Sequence, residues 1–146
     1  MASELQGRYR LISNLGHGNF ATVYLAKDNK ANGALVAVKA ICTEGFSQVE
    51  FKDLNVQFEL EAKILMSLSH PGLPKVMAYF NQGMYFYIVM EWIAGKTMHQ
   101  EVLESDGITQ DTVLDWGIKL SDVLSYLHSR KPYPILLGDL KPSNVT

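Results

Sequence analysis

The sequence predicts an α+β fold: a five-stranded antiparallel sheet with one long helix in the N-terminal half, then a helical C-terminal half. Three observations predict it. β-branched and aromatic runs recur between turn clusters as far as residue 91, one long segment with helical periodicity interrupts them, and beyond a short tether at 92–96 the pattern turns helical.

The totals bound the reading. A chain of 146 residues makes one ordinary domain or two small lobes, not two independent domains. Its 47% hydrophobic and 19% charged residues are those of a globular protein. A net charge of −2, with no run of Lys and Arg, gives no footing for nucleic-acid binding. The single cysteine, Cys42, excludes an intrachain disulfide and a Cys-based zinc framework, and it fits a reducing, cytoplasmic compartment. No apolar h-region stands at the N-terminus, and the longest uncharged stretch, Val76 to Met90, falls short of the ~20 residues of a spanning helix. We expect no membrane segment in this chain; an anchor elsewhere in a longer protein stays open.

Taken in order, Tyr9 to Leu15 and Thr22 to Asp28 have strand character and are joined by Gly16-His17-Gly18-Asn19-Phe20-Ala21. The turn cluster Asn29-Lys30-Ala31-Asn32-Gly33 leads into a third strand, Leu35 to Ile41. Glu44-Gly45 breaks the pattern, and a helix is predicted from about Val49 to Ser69, with Leu54, Phe58, Leu65 and Leu68 as its apolar stripe and His70-Pro71-Gly72 as its stop. Val76 to Phe80 and Met84 to Glu91 form a second hairpin. Thr97 to Glu104 is a short helix, and Thr109 caps a longer one with Val113, Trp116, Leu120, Val123, Leu124 and Leu127 on one face, ending near His128-Ser129-Arg130.

Two charges stand out against this pattern. Lys39 interrupts Val36-Ala37-Val38-Lys39-Ala40-Ile41, a run that reads as a strand buried on both faces, where an ammonium needs an anionic partner or must snorkel to water. Glu61 falls within the helical stripe, three residues after Phe58; it either pairs with a cation or sits solvated at the margin. The Gly16-x-Gly18 turn joins strand to strand, unlike dinucleotide-binding and Walker-type loops, which run from strand into helix. Its glycines let backbone approach phosphate oxygens and offer N–H donors, though for this motif alone an ordinary flexible hairpin turn is the better account. In the last stretch, Leu136 to Thr146, Pro142 forbids a helix, and Asp139, Lys141 and Asn144 gather three hydrogen-bonding groups into a loop.

Gly16-x-Gly18 with Val23, Val36-Ala37-Val38-Lys39, Glu61 and Asp139-Leu140-Lys141-Pro142-Ser143-Asn144, in that order and at these separations, resemble the eukaryotic-type (Hanks-type) Ser/Thr protein kinase family from about Tyr9 to Thr146. The resemblance implies a protein-kinase-like small lobe over 1–91, a five-stranded antiparallel sheet plus helix C. A hinge at 92–96 and the first helices of the large lobe at 97–146 would follow, truncated after the catalytic loop. It implies ATP and Mg²⁺ as cofactors and protein Ser or Thr hydroxyls as acceptors. Lys39 would hold the α- and β-phosphates and pair with Glu61 on helix C; Leu15, Gly16, His17 and Gly18 would belong to the nucleotide-binding set, the glycines beside the phosphates; Val23 and Ala37 would sandwich the adenine. Met90 corresponds to the gatekeeper, and Glu91 and Ile93 to the hinge. Asp139 matches the aspartate that accepts the hydroxyl proton, Lys141 the lysine that steadies the γ-phosphate, and Asn144 the magnesium-binding asparagine. The departures are Leu137-Gly138, where the family usually carries His-Arg, and the lack of any Asp-Phe-Gly in these 146 residues. The length of Arg130-Lys131-Pro132-Tyr133-Pro134 resembles bacterial members. The chain alone is therefore expected to be inactive, and apolar helix faces left uncovered in the large-lobe part are expected to promote self-association. A non-catalytic, nucleotide-binding or scaffolding relative is the alternative.

Overall fold

The computed structural model describes residues 4–18, 21–45 and 47–146. Asn19 and Phe20 of the glycine turn lie outside the described residues. The chain forms two compact units, one of residues 1–69 and 74–92, the other of 70–73 and 93–146.

The first unit is a sheet with one helix. Its strands are β1 (Glu4–Leu5), β2 (Tyr9–His17), β3 (Ala21–Asp28), β4 (Ala34–Cys42), β5 (Val76–Gln82) and β6 (Tyr85–Glu91), antiparallel in the order β1-β2-β3-β4-β6-β5. That is one strand more than the sequence predicts. Gln6 and Gly7 both take positive φ (54° and 57°), and Arg8 N–H donates to Leu5 O, so a tight turn folds a two-residue strand back onto β2. Two irregularities in β2, at Leu11/Ser13 and Asn14/Gly16, bend the strand. The sheet curls until its edges meet: the rings of Tyr9 on β2 and Phe80 on β5 stack at 6.0 Å, and Gln6 N–H donates to Gln82 Oε1. Leu5, Tyr9, Ala26, Val36, Val38, Ala40, Tyr87 and Val89 fill the face enclosed by that curl.

Helix α1 (Gln48–Met66) covers the opposite face. It starts at a capping box, in which Glu50 N–H donates to Ser47 Oγ and Ser47 N–H donates to Glu50 Oε2. It stops at Ser67, whose hydroxyl donates to Ile64 O, two residues before the predicted end. Phe58 is the anchor, stacked on Phe86 at 4.6 Å and edge-on to Tyr79 at 6.0 Å, with Phe51 and Leu54 beside it. An ion pair pins the start of β2 to the end of β3: the Arg8 guanidinium donates twice to the buried Asp28 carboxylate, at 2.8 and 2.7 Å, and holds that carboxyl below its usual range.

The second unit holds α2 (Met98–Glu104), α3 (Gln110–His128) and a 3₁₀ turn at Pro142–Asn144. Thr97 and Thr109 cap the two helices, each accepting from the N–H three residues on. Val123 and Leu127 are buried on α3. Segment 70–73 packs on that helix: His70 Nε2 lies 3.2 Å from Asp122 Oδ2, its ring lies tilted against that of Tyr126 at 4.9 Å, and its Nδ1 accepts from Gly72 N–H. A cavity of about 460 Å³ is lined by Gly72, Met98, Trp116, Leu120, Val123 and Val145, among others; no residue singled out for function lines it.

Candidate active site

Sheet register, which decides which side chains share a face, gathers much of the predicted nucleotide set. Gly16 pairs with Val23, Val23 with Lys39, and Lys39 with Ile88, so these four residues form one row across β2, β3, β4 and β6. Two residues along, Leu25, Ala37, Met90 and Val76 form a parallel row. Side chains alternate along a strand, so Val23, Lys39, Ala37 and Met90 all belong to the face that carries α1. Leu25 joins them there; sequence reasoning passed over it because nothing distinguishes a leucine in a strand from its neighbours.

The glycine turn differs from expectation in its donors. Asn14 Oδ1 accepts from Gly16 N–H at 2.8 Å, and Ala21 O accepts from Gly18 N–H at 2.7 Å. Both of these N–H groups are thus already used within the chain. The Asn14 contact was legible as an Asx turn, an Asn two residues before a Gly. Leu15, the unpaired residue at the second bulge, is 48% exposed, and His17 is exposed. An added Cβ at Gly16 would meet nothing within 4 Å, so the backbone there faces open space.

Lys39 and Glu61 are not paired. Lys39 is half-buried and has no ion pair among the described residues, and Glu61 is exposed. The helix is rotated from the phase that its large apolar residues suggested. Ala62, fully buried, occupies the inward position beside Phe58, while Leu65 is 36% exposed. A small residue carries little weight in a periodicity count but fits closest to a sheet. Of the two readings open for Glu61, this structure shows the solvated one.

At the hinge position, Glu91 N–H donates to Lys75 O at 2.8 Å, and its Oε2 accepts from Lys75 N–H at 3.3 Å, tying the end of β6 to the chain entering β5. Ile93, in the second unit, is 44% exposed.

In the second unit Asp139, Lys141 and Asn144 form a closed set of contacts. Lys141 Nζ lies 2.9 Å from Asp139 Oδ2, while Asn144 Nδ2 donates to Asp139 O at 2.8 Å and to Asp139 Oδ2 at 3.1 Å. The turn at Pro142–Asn144 brings Asn144 back over Asp139, as Asn144 N–H bonds Lys141 O. The hydrogen bond from Lys141, then that from Asn144, holds the Asp139 carboxyl below its usual range, so it is an ionised acceptor at neutral pH. With its amide nitrogen committed to Asp139, Asn144 keeps its carbonyl oxygen as a hard donor of the kind magnesium takes. Among the described residues, no cluster of three or more His, Cys, Asp or Glu side chains could hold a metal by itself. Leu137 and Leu140 are 44% and 43% exposed around this loop.

Residues 9–146 match the family described as Protein kinase domain. Serine/threonine-protein kinase B of Synechocystis is 31% identical over 143 residues, which cover 97% of this chain and 24% of that protein. Serine/threonine-protein kinase PknA of Nostoc is 33% identical over 149 residues, 99% of this chain and 26% of that protein. Among solved structures, Rad53 residues 1–466 in complex with AMP-PNP superposes with a TM-score of 0.79 at 25% identity, covering 94% of this chain and 34% of that one. The chain thus spans about a quarter of the length of these curated relatives.

Proposed function

This chain belongs to the protein kinase domain family, within the eukaryotic-type serine/threonine kinases that include bacterial members, and from that membership we propose that it serves a kinase transferring the ATP γ-phosphate to Ser or Thr hydroxyls of proteins. One observation carries the reading: the hydrogen-bonded set of Asp139, Lys141 and Asn144, a carboxylate kept ionised beside a cation and a side-chain amide. Asp139 would accept the acceptor hydroxyl's proton, Lys141 would steady the γ-phosphate, and Asn144 Oδ1 would ligate magnesium. When bound, magnesium supplies neutralisation of charge on the transferring group. Val23 and Ala37 would lie against the adenine and Lys39 against the phosphates, with Met90 as gatekeeper and the backbone of Glu91 and Ile93 at the adenine edge. The 146 residues contain no Asp-Phe-Gly, so we expect no ordinary turnover from this chain alone.

A second reading, a nucleotide-binding or scaffolding module without transfer activity, draws support from the unpaired Lys39 and Glu61. One experiment separates the two. The chain is expressed with a complete large lobe downstream and assayed for phosphate transfer to a generic protein substrate, beside Asp139→Asn and Lys39→Ala. Transfer that drops by a factor of order 10³ in either variant supports the kinase. Retained AMP-PNP binding with no transfer supports the module, and loss of both sinks the nucleotide reading.

A further inference from the structure

The second irregularity of β2 decides what stands beside Val23. From Asn14, which pairs with Tyr24, a straight ladder would continue with Leu15 opposite Val23; instead Leu15 is skipped and Gly16 takes that place. The Val23–Lys39 row, on the face that carries α1, therefore ends without a side chain. The chain's own fold does not demand a glycine there. Gly16 has no positive φ, and a Cβ added to it would meet nothing within 4 Å. What the glycine provides is open space beside Val23, where the proposed nucleotide would lie.

Apolar burial works against this arrangement. Leu15 is left 48% exposed, and a leucine returned to the ladder would gain contact with Val23 opposite it and Leu25 on the diagonal. The bulge needs something to hold it, and Asn14 supplies a hold: its Oδ1 accepts from Gly16 N–H at 2.8 Å, spanning the skipped residue. Asn14 and Gly16 are both exposed, so water could serve either group, and the effect of the bond lies in the geometry it fixes. We propose that Asn14 is a positioning residue for nucleotide binding: its side-chain carbonyl pins the second bulge of β2, which keeps Gly16, and not Leu15, opposite Val23. The positioning role rests on the nucleotide reading given above; the pinning does not. Asn14 acts only through Gly16 and Leu15.

NMR of the 146-residue chain tests both parts. In the parent, cross-strand NOEs should join Gly16 to Val23, and adenosine and AMP-PNP should each shift the amides of Val23 and Ala37. In Asn14→Ala the NOEs to Val23 should pass from Gly16 to Leu15, and the Kd for both ligands should rise with the fraction displaced, up to about fivefold, the scale of one such hydrogen bond. Asn14→Asp keeps a side-chain acceptor in the same place. It should restore the NOEs and the affinity for adenosine, which carries no phosphate for the added charge to repel. Dispersed spectra confirm that each variant is folded. An unchanged Gly16–Val23 register in Asn14→Ala overturns the pinning and the proposal with it. A displaced register with unchanged adenosine affinity, or a lost affinity that Asn14→Asp does not restore, overturns the positioning role. A parent chain that responds to neither ligand while the register moves as expected overturns the nucleotide reading, and leaves Asn14 nothing to position.

Discussion

Gly72→Ala tests the packing of segment 70–73 on α3, because the clash it creates has one identifiable partner. A Cβ built on Gly72 would stand 2.5 Å from Val123 Cγ2, about 1 Å inside the ordinary carbon contact distance. Val123 is 8% exposed and β-branched on a helix, so its χ1 has essentially one well to occupy. Moving the segment instead would disturb the bond from Gly72 N–H to His70 Nδ1 at 3.1 Å. Overpacking of this kind costs about 1–3 kcal/mol, while the stiffer unfolded chain returns about 0.5 kcal/mol, so the net loss should be near 1.5 kcal/mol. Val123→Ala alone should lose about 2 kcal/mol from two buried methyl groups. In the double variant the clashing atom is gone and the new methyl group partly fills its space, so the total should stay near 2 kcal/mol and not the additive value of about 3.5 kcal/mol. Urea unfolding followed by the fluorescence of Trp116, which lines the same cavity, in a Trp92→Phe background reads this out. A loss of 1.5 kcal/mol moves the midpoint by roughly 0.5–1.5 M. A neutral Gly72→Ala, or strict additivity, would refute the contact.

Other outcomes follow from single contacts. Phe58→Ala should cost about 3–5 kcal/mol, because it empties the stack on Phe86 and Tyr79, whereas Glu61→Ala should stay within about 0.5 kcal/mol; equal effects in urea titrations would mean that α1 sits in the other phase. Ser47→Ala should cost about 1 kcal/mol by removing the acceptor for Glu50 N–H, and helix content by circular dichroism should fall with it. Because Arg8 lowers the folded-state pKa of Asp28, that pair's contribution is complete above the ordinary carboxylate value and is lost as pH falls through the lowered one. The thermal midpoint of Asp28→Asn should therefore fall less steeply under acid than that of the parent chain, and parallel acid limbs would refute the linkage.

Strands and caps were legible because their signals are local. Thr109 bonds the N–H group that capping predicts, Thr97 caps the helix it was expected to begin, and Asn32-Gly33 provides the left-handed residues of its turn. The strand at Glu4–Leu5 was not legible, since two residues carry no periodicity and the turn at Gln6-Gly7 puts a glutamine at positive φ. At the glycine turn the Asx bond from Gly16 N–H to Asn14 was open to reading from the sequence, whereas the bond from Gly18 N–H to Ala21 O, which depends on how the loop closes, was not.

The candidate site divides along the same line. Asp139, Lys141 and Asn144 lie within six residues, so a proline-started turn is enough to bring them together, and sequence spacing alone anticipates the contact. Lys39 and Glu61 depend on how α1 is rotated about its own axis, which is set by which of its two apolar faces wins the sheet. Phe51, Leu54, Phe58 and Ala62 win it through ring stacking on Phe86 and the close approach that an alanine permits. Val56, Leu60 and Ile64 would compete for the same surface in a helix turned by half a circle, but without an aromatic ring to stack they gain less from it. Glu61, about 100° from Leu60, belongs to the margin in either phase. A salt bridge to Lys39 therefore needs a rotation of α1 that keeps Phe58 inside, against the hold of both Phe51 and Phe58 on Phe86 and of Leu54 beside them.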